Sequence, residues 1–214
     1  MTFQEKLAAL KEKIESQIPE EHLDVMHNAT QDLFDRNLLA NVLKVGEKCP
    51  NFTLENQNGE KVNVKDMYKD KPLVITFYRG IWCPYCNLDL ENLGEINPTI
   101  EKLGAKMITI SPELHDYSKS IIKKEKLPYD IFYDFENETA DKFGLRFELQ
   151  EELKATYMKF GINLERFNGE NSWTLPMPAR FLIDTDGTIR YAEASPDYTK
   201  RPDPDALIEV LKTI

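Results

Sequence analysis

Cysteine is scarce in this chain: only three of its 214 residues are Cys, at positions 49, 83 and 86. Three thiols are too few for the disulfide framework on which small secreted domains depend. Residues 1–6 are polar and of mixed charge, and no apolar segment follows them, so we expect no secretory signal and a cytoplasmic location. In that reducing compartment, a close cysteine pair is more often catalytic or metal-binding than structural.

Long hydrophobic runs and an excess of positive charge are also missing. The apolar stretch at residues 73–78 is far shorter than the roughly 20 residues that a membrane-spanning helix needs. Lys and Arg number 27 against 37 Asp and Glu, a formal net charge of −10, which disfavours binding to nucleic acid or to an anionic membrane. The 41% of hydrophobic and 30% of charged residues are typical of a soluble globular protein.

The pattern of apolar residues divides the chain into a helical start and a larger mixed part. Residues 1–45 predict two helices, because Phe3, Leu7, Leu10 and Ile14 recur at helical spacing and a proline separates the second helix. We interpret this segment as an N-terminal helical extension that packs on the remaining domain, residues 46–214. The alternative is that the helices form the surface of a homodimer.

Strand and helix patterns alternate through the larger part. They predict a hairpin around residues 58–59, then strands at 71–78, 106–110 and 130–133 and helices at 84–103, 116–126 and 138–143. Strands at 180–184 and 188–194 flank an Asp-Gly turn, and a helix at 203–214 follows. Residues 147–172 are interpreted as an insertion with an amphipathic helix. This order predicts an α/β fold, a mixed central sheet with helices on both faces.

One short motif carries the chemistry. Residues 77–86 read Phe-Tyr-Arg-Gly-Ile-Trp-Cys-Pro-Tyr-Cys, so a C-x-x-C pair follows a predicted strand and opens a predicted helix. Pro84 suits the first helical position, which puts Cys83 at the N-cap, where free N–H groups and the helix dipole favour the thiolate. Arg79 adds positive potential. We therefore predict that Cys83 is the nucleophile and that Cys86, one turn further on, attacks whatever Cys83 becomes joined to.

Two other interpretations of the cysteine pair are weaker. Half of a zinc site would need further ligands, yet there is no second C-x-x-C, and the three histidines, His22, His27 and His115, are scattered. Two inert buried thiols would leave the Trp-Cys-Pro turn after a strand unexplained. We therefore expect thiol redox chemistry that needs no metal or organic cofactor, with Cys49 as a bystander.

Residues 82–86, Trp-Cys-Pro-Tyr-Cys, resemble the active-site turn of the thioredoxin superfamily. Residues 46–54 are similar to the Gly…Pro-x-Phe hairpin of peroxiredoxins, residues 74–84 to their peroxidatic-cysteine region, and residues 180–187 to their late strand and turn. The most similar group is the peroxiredoxin-like branch of the alkyl hydroperoxide reductase/thiol-specific antioxidant family. The resemblance spans roughly residues 46–214 and implies a thioredoxin-like three-layer sandwich.

The same resemblance implies a thiol-dependent peroxidase. Cys83 would reduce hydrogen peroxide or an organic hydroperoxide and become a sulfenic acid, and Cys86 would condense with it into a disulfide. Thioredoxin or a similar dithiol would reduce that disulfide by exchange. The alternatives are a thiol–disulfide oxidoreductase acting on protein disulfides and, third, a non-catalytic redox sensor.

The chain departs from this family at two positions that would hold a peroxide. Typical peroxiredoxins carry Thr or Ser three residues before the nucleophile, where this chain has Gly80, and an arginine where this chain has Met177. Arg79 or Arg180 is the expected replacement for the missing hydrogen-bond donors.

Three supporting residues complete the expected site. The resemblance implies that Pro178, before the late strand, has a cis peptide bond and faces the cysteines; an ordinary trans turn proline is the alternative, and Pro176 competes for the same place. Trp82 is expected either to shape substrate access or to be a core ring. Tyr85 is expected to be exposed and to tune contact with a partner.

Overall fold

A computed structural model describes residues 1–214. Its α-helices are α1 (Phe3–Glu15), α2 (Glu20–Asp35), α3 (Val64–Tyr68), α4 (Pro84–Lys102), α5 (His115–Glu125), α6 (Glu138–Lys142), α7 (Glu151–Lys159), α8 (Leu164–Asn168) and α9 (Pro204–Leu211). Its strands are β1 (Thr53–Asn56), β2 (Lys61–Asn63), β3 (Leu73–Phe77), β4 (Lys106–Ser111), β5 (Asp130–Tyr133), β6 (Arg146–Glu148), β7 (Thr174–Pro176), β8 (Ala179–Ile183) and β9 (Ile189–Ala194). The predicted strands and helices are all present, with ends shifted by a few residues.

Seven strands form one mixed sheet in the order β2-β1-β5-β4-β3-β8-β9. The central strand β3 runs parallel to β4 and antiparallel to β8, and β4 runs parallel to β5. The remaining two strands, β6 and β7, form a separate antiparallel ribbon that the sequence did not predict. This ribbon brackets the predicted insertion, whose helices are α7 and α8.

The side chains of β3 alternate between two buried clusters, one on each face of the sheet. Leu73, Ile75 and Phe77 join a cluster that includes residues of α3 and α6. Val74 and the following Tyr78 join a cluster that includes residues of α4 and α9. Helices therefore cover both faces, and the predicted three-layer α/β arrangement is confirmed.

The first two helices pack on the rest of the chain. α1 begins with a capping box, in which the Thr2 hydroxyl accepts the N–H of Glu5 and the Glu5 carboxylate accepts the N–H of Thr2. Leu7 of α1 is buried in the same cluster as α4, and Met26 of α2 is buried against Leu153 of α7. These contacts bring the N-terminal helices to the end of the sheet at which α4 begins.

No helix of this fold combines the length and the apolar character that crossing a membrane requires.

Candidate active site

The C-x-x-C pair lies where the central strand passes into the longest helix. Cys83 is the N-cap of the 19-residue helix α4, with extended dihedrals (φ −93°, ψ 111°), and Pro84 is the first helical residue, as predicted. The N–H groups of Cys86 and Asn87 donate to the carbonyl of Cys83 at 3.0 and 3.1 Å, while its own N–H donates to the carbonyl of Gly80 at 3.1 Å. The Cys83 sulfur is thus presented at the positive end of the helix dipole.

The two cysteines differ sharply in acidity. Burial raises the pKa of the Cys83 thiol, whereas its hydrogen bond with Cys86 lowers it. The charges of Arg79 and Arg201 lower it further, and the net result is a pKa of about 5 for Cys83. Burial and the neighbouring Cys83 sulfur raise the pKa of Cys86 well above its usual range. At neutral pH the pair therefore holds one proton, on Cys86, and Cys83 is the thiolate.

Arg201 is the cation that sequence reasoning missed. Its Nη2 atom lies 3.0 Å from the Cys86 sulfur and 3.9 Å from the Cys83 sulfur, and the side chain is buried. It comes from the loop between β9 and α9, where Nη1 donates to the carbonyls of Tyr198 and Lys200 at 2.7 and 2.6 Å. No local pattern marks this residue, because the two sulfurs that it contacts are more than 100 positions away in the chain.

Arg180 does not contact the sulfurs, so its expected role as a direct substitute donor is wrong. Its guanidinium donates to Asp89 at 2.8 Å, to the Thr76 hydroxyl at 3.1 Å and to the Pro202 carbonyl at 3.1 Å. The other carboxylate oxygen of Asp89 lies 3.6 Å from Nε of Arg201. Arg180 therefore supports the carboxylate and the loop that position Arg201.

Arg79 is buried inside a cage of aromatic rings, and its positive charge acts on Cys83. Its guanidinium carbon lies 4.9, 5.7 and 4.8 Å from the ring centres of Trp82, Tyr157 and Tyr198, within the range of cation–π attraction. It also donates a short hydrogen bond to the hydroxyl of Tyr157. These contacts hold a permanent positive charge close to Cys83.

A pocket of about 200 Å³ reaches Cys83 past these rings. Its lining is mostly apolar and includes Ile14 and Ile18 from the first helix and the turn after it, Met26 from α2 and Ile162 from the insertion. Trp82 lies in this lining, packed edge-on against Tyr157 at 5.5 Å, so it borders the approach to the sulfur.

Tyr85 is only 2% exposed, so the expected contact surface at this position is wrong. Its ring packs edge-on against Tyr198 at 5.7 Å and lines the pocket near Ile14 of α1. The segments that cover it come from both ends of the chain, which a local motif does not reveal.

The expected cis bond at Pro178 is also wrong, because every peptide bond in the chain is trans, including that of Pro176. Pro178 is buried before β8, and its carbonyl accepts the N–H of Ser195 at 3.0 Å. Met177 is fully buried in the cluster on the far face of the sheet, with its N–H bonded to the carbonyl of Leu145. A trans bond is the ordinary preference of an X-Pro pair.

Gly80 adopts a conformation and a close approach that only glycine tolerates. Its φ is +149°, and a Cβ atom there would lie within 3.0 Å of both Trp82 Nε1 and Glu113 Oε1. Glu113, from the turn after β4, is fully buried and accepts the N–H of Ile81 through Oε2 at 2.8 Å. The place of the family's hydroxyl side chain is thus taken by a carboxyl group and an indole N–H.

The third cysteine is remote from this site. Cys49 belongs to the cluster on the opposite face of the sheet, and burial raises the pKa of its thiol to about 12. No group of three or more His, Cys, Asp or Glu side chains is arranged to hold a metal ion.

A family model matches residues 45–192, the part of the chain that contains the β3–α4 turn, and it describes the AhpC/TSA family. This chain belongs to the AhpC/TSA family. The match ends before Tyr198 and Arg201 and begins after α1 and α2, so part of the site described above lies outside it.

The curated relatives of this AhpC/TSA protein include peroxiredoxins and thiol-disulfide oxidoreductases. It is 26% identical to peroxiredoxin Bcp of Bacillus subtilis over 147 residues, and this alignment covers 69% of this chain and 82% of Bcp. It is 24% identical to thiol-disulfide oxidoreductase ResA of Bacillus thuringiensis over 173 residues, and this alignment covers 80% of this chain and 79% of ResA.

Solved structures share the fold. Peroxidoxin BcpB from Mycobacterium tuberculosis superimposes with a TM-score of 0.63 at 19% identity, covering 80% of this chain and 98% of BcpB. A peroxiredoxin-like protein from Aquifex aeolicus superimposes with a TM-score of 0.61 at 21% identity, covering 80% of this chain and 88% of the Aquifex chain. The predicted thioredoxin-like fold is confirmed, and the chain is a peroxiredoxin-like thiol oxidoreductase.

Proposed function

We propose that this protein is a thiol-dependent peroxidase. The observation that carries the proposal is the buried cysteine pair at the start of α4, with Arg201 3.0 Å from Cys86 and 3.9 Å from Cys83. The charges of Arg79 and Arg201 lower the pKa of Cys83, whereas that of Cys86 is raised. The thiolate sulfur attacks one oxygen of a hydroperoxide, the O–O bond breaks, and the other oxygen leaves as water or an alcohol after taking up a proton. The sulfur loses two electrons and becomes a sulfenic acid.

The two arginines supply the electrostatic help that this step requires. Negative charge develops on the leaving oxygen, and fixed donors aimed at it stabilise the transition state. Arginine suits this task, since it stays charged and offers several N–H donors in a planar fork. Arg79 and Arg201 thus supply donors near Cys83 in a chain that lacks the family's arginine at position 177.

Cys86 is the proposed resolving residue. Its thiol sulfur attacks the sulfenic sulfur of Cys83, the S–O bond breaks, and the products are a disulfide and water. A cytoplasmic thioredoxin-like dithiol then reduces this disulfide by exchange and becomes oxidised itself. Because the two sulfurs belong to one helical turn, the disulfide forms within one chain.

The apolar pocket supports organic hydroperoxides as substrates in addition to hydrogen peroxide. A volume of about 200 Å³ is larger than hydrogen peroxide needs, and side chains such as Ile14, Ile18 and Ile162 offer an alkyl or aryl group an apolar surface. Burying such a group contributes binding free energy at about 25 cal/mol per Å².

A thiol–disulfide oxidoreductase is the second candidate, and the similarity to ResA of Bacillus thuringiensis favours it. The burial of Cys83 argues in the other direction, because the residue is only 2% exposed. A small peroxide fits the pocket that leads to it. A protein disulfide would need the cover formed by Trp82, Tyr157 and Tyr198 to move.

The test is a comparison of rate constants in a Cys86→Ser protein, in which the oxidised product of Cys83 accumulates. We expect sulfenic acid formation with hydrogen peroxide and cumene hydroperoxide to be orders of magnitude faster than that of a free thiolate, when followed by stopped-flow fluorescence and intact mass. A Cys49→Ser variant is the matched control and should react like its parent. Slow reaction with peroxides together with fast exchange with a protein disulfide would replace the peroxidase by the second candidate.

A further inference from the structure

Glu113 and Trp82 both approach Gly80 in the turn before Cys83, and Trp82 also lines the pocket that reaches this cysteine. Oε1 of Glu113 and Nε1 of Trp82 are both buried without a hydrogen-bond partner. Buried polar atoms are rarely left unpaired, and an exception calls for an explanation such as a catalytic role. These two atoms converge on the one spot where a side chain at position 80 would begin.

The hydrogen bonds of Glu113 determine which of its oxygens is free. Oε2 accepts the N–H of Ile81 at 2.8 Å, so a proton on this carboxyl group belongs on Oε1, the oxygen that has no partner. The residue is fully buried, and an ionised carboxylate there would lack a counter-charge. The hydrogen-bonding pattern therefore suits a neutral acid with a free O–H.

The charged surroundings point the same way. Burial raises the pKa of Glu113, the Ile81 N–H lowers it and the negative sulfur of Cys83 raises it, and the net result is a pKa of about 8. Tyr78, at the end of β3, is the other titratable group that interacts with it. Arg79 directs its guanidinium to Tyr157, and His115, at the start of α5, lies near Glu55, so neither forms an ion pair with Glu113.

We propose that Glu113 is the general acid of the peroxide reaction and that its Oε1–H protonates the oxygen that leaves when Cys83 attacks. This role rests on the proposed peroxidase function and deepens it. The N–H of Trp82 donates a second hydrogen bond to the same oxygen. Together the two groups take over the position of the hydroxyl that the chain lacks at residue 80.

The proton and electron balance closes over one cycle. The sulfur lone pair of Cys83 forms the S–O bond, the O–O bonding pair goes to the leaving oxygen, and that oxygen takes the proton from Glu113, which becomes a carboxylate. In the second step the thiol proton of Cys86 leaves with the hydroxyl group as water. The dithiol reductant brings two protons, of which one restores the Cys86 thiol and the other restores the acid form of Glu113, while Cys83 returns as the thiolate.

The test compares two reactions of Cys83 that differ in their need for a proton. Reaction with hydrogen peroxide requires protonation of the leaving oxygen, whereas alkylation by iodoacetamide releases iodide, which takes up no proton. Both rate constants are measured from pH 5.5 to 9.5 in the Cys86→Ser background, with Glu113 intact and as Glu113→Gln. Asp134→Asn is the matched control, because Asp134 is also a buried carboxyl with a raised pKa, but it accepts the N–H groups of Thr139 and Ala140 in α6 and has no contact with the cysteines.

We expect Glu113→Gln to slow the peroxide reaction at pH 7 by about 10²-fold or more, the usual contribution of a general acid. Alkylation should stay within about twofold, because proton transfer contributes nothing to it. With Glu113 intact, the peroxide rate should also fall above a pH of about 8, the pKa of this residue, and Glu113→Gln should abolish that decline. The Asp134→Asn control should keep both the rate and the decline.

Two results would overturn the role of Glu113 while leaving the peroxidase intact: a fast peroxide reaction that Glu113→Gln does not change, or equal slowing of peroxide reduction and alkylation. If Glu113→Gln does not fold, the profile of the parent protein decides, since a peroxide rate without any decline to pH 9.5 contradicts an acid with this pKa. A parent protein that reacts with peroxide no faster than a free thiolate would overturn the proposed function and this role together.

Discussion

Removing Arg201 separates the two effects that a guanidinium has on the site, its effect on thiolate formation and its effect on peroxide cleavage. The Arg201→Met change deletes the contacts of Nη2 with Cys86 and Cys83 at 3.0 and 3.9 Å and keeps an apolar side chain of similar length. Asp89 retains its ion pair with Arg180 at 2.8 Å, so the change leaves no buried carboxylate without a partner.

The size of each effect follows from the geometry. A hydrogen bond to a charged group contributes about 1.5–3 kcal/mol, which corresponds to a rise of about 1–2 units in the pKa of Cys83 at 1.36 kcal/mol per unit. Starting from a pKa of about 5, Cys83 then remains mostly thiolate at pH 7. Loss of one donor to the developing oxyanion costs a further factor of about 10²–10³ in the peroxide rate.

The assay measures iodoacetamide alkylation against pH beside the single-turnover rate with hydrogen peroxide, both in the Cys86→Ser background. We expect the alkylation midpoint to rise by about 1–2 pH units, because a hydrogen bond to the charged sulfur is lost, and the peroxide rate at pH 7 to fall by about 10²-fold or more. Arg190→Met is the matched control, since Arg190 is an exposed arginine that pairs with Asp184, the residue after β8. This variant should change neither the alkylation midpoint nor the peroxide rate. An unshifted midpoint with an unchanged peroxide rate would show that Arg201 only holds its loop in place, and would refute the reasoning.

Three further predictions concern the pocket, the turn and the pH dependence of stability. Ile162→Trp should narrow the pocket and slow cumene hydroperoxide several-fold more than hydrogen peroxide in stopped-flow measurements; equal slowing would contradict an apolar substrate path. Gly80→Thr should lower the free energy of unfolding in urea by about 1–3 kcal/mol or more, because residue 80 has a positive φ and Glu113 approaches it closely. The new hydroxyl should not speed up peroxide reduction. A fully stable variant with faster peroxide reduction would contradict this prediction. The pKa of Glu113 is about 8 in the folded chain and about 4.3 in the unfolded chain. Between about pH 4.3 and pH 8 the folded state therefore binds a proton that the unfolded state has lost. The stability that this proton contributes falls as the pH rises through that range. Urea unfolding at pH 6 and pH 9 should therefore show a smaller loss for Glu113→Gln than for the parent protein, and an equal loss would place the titration elsewhere.

The burial of the cysteine pair has a consequence for the reductant. Cys83 is 2% exposed and Cys86 is fully buried, so a dithiol protein cannot attack either sulfur while the aromatic cover is closed. This cover consists of Trp82, Tyr157 and Tyr198, whose rings surround Arg79 and line the pocket that reaches Cys83. Recycling by a protein reductant therefore requires local opening, whereas the peroxide step does not.

Local patterns were sufficient for most of the fold. The strand at residues 130–133 has the predicted bounds, and the helix that opens at Pro84 ends within one residue of its predicted end. These elements have strong local signals: a buried β-branched and aromatic run in one case, and a proline at the first helical position in the other. The ribbon of β6 and β7 was missed, because three-residue strands are too short to show a period of two.

The sequence by itself identified the candidate reactive pair, because the end of β3, the turn and the proline that begins α4 all lie within the ten residues that include both cysteines. Only the tertiary structure decided which groups surround that pair. Arg201 reaches the sulfurs and Arg180 does not, and Glu113 takes the space of a side chain at Gly80. The physical reason is that charges and hydrogen bonds act through space over a few ångströms. The residues that they join here are 30 to more than 100 positions apart in the sequence, so no local sequence pattern shows that they are neighbours.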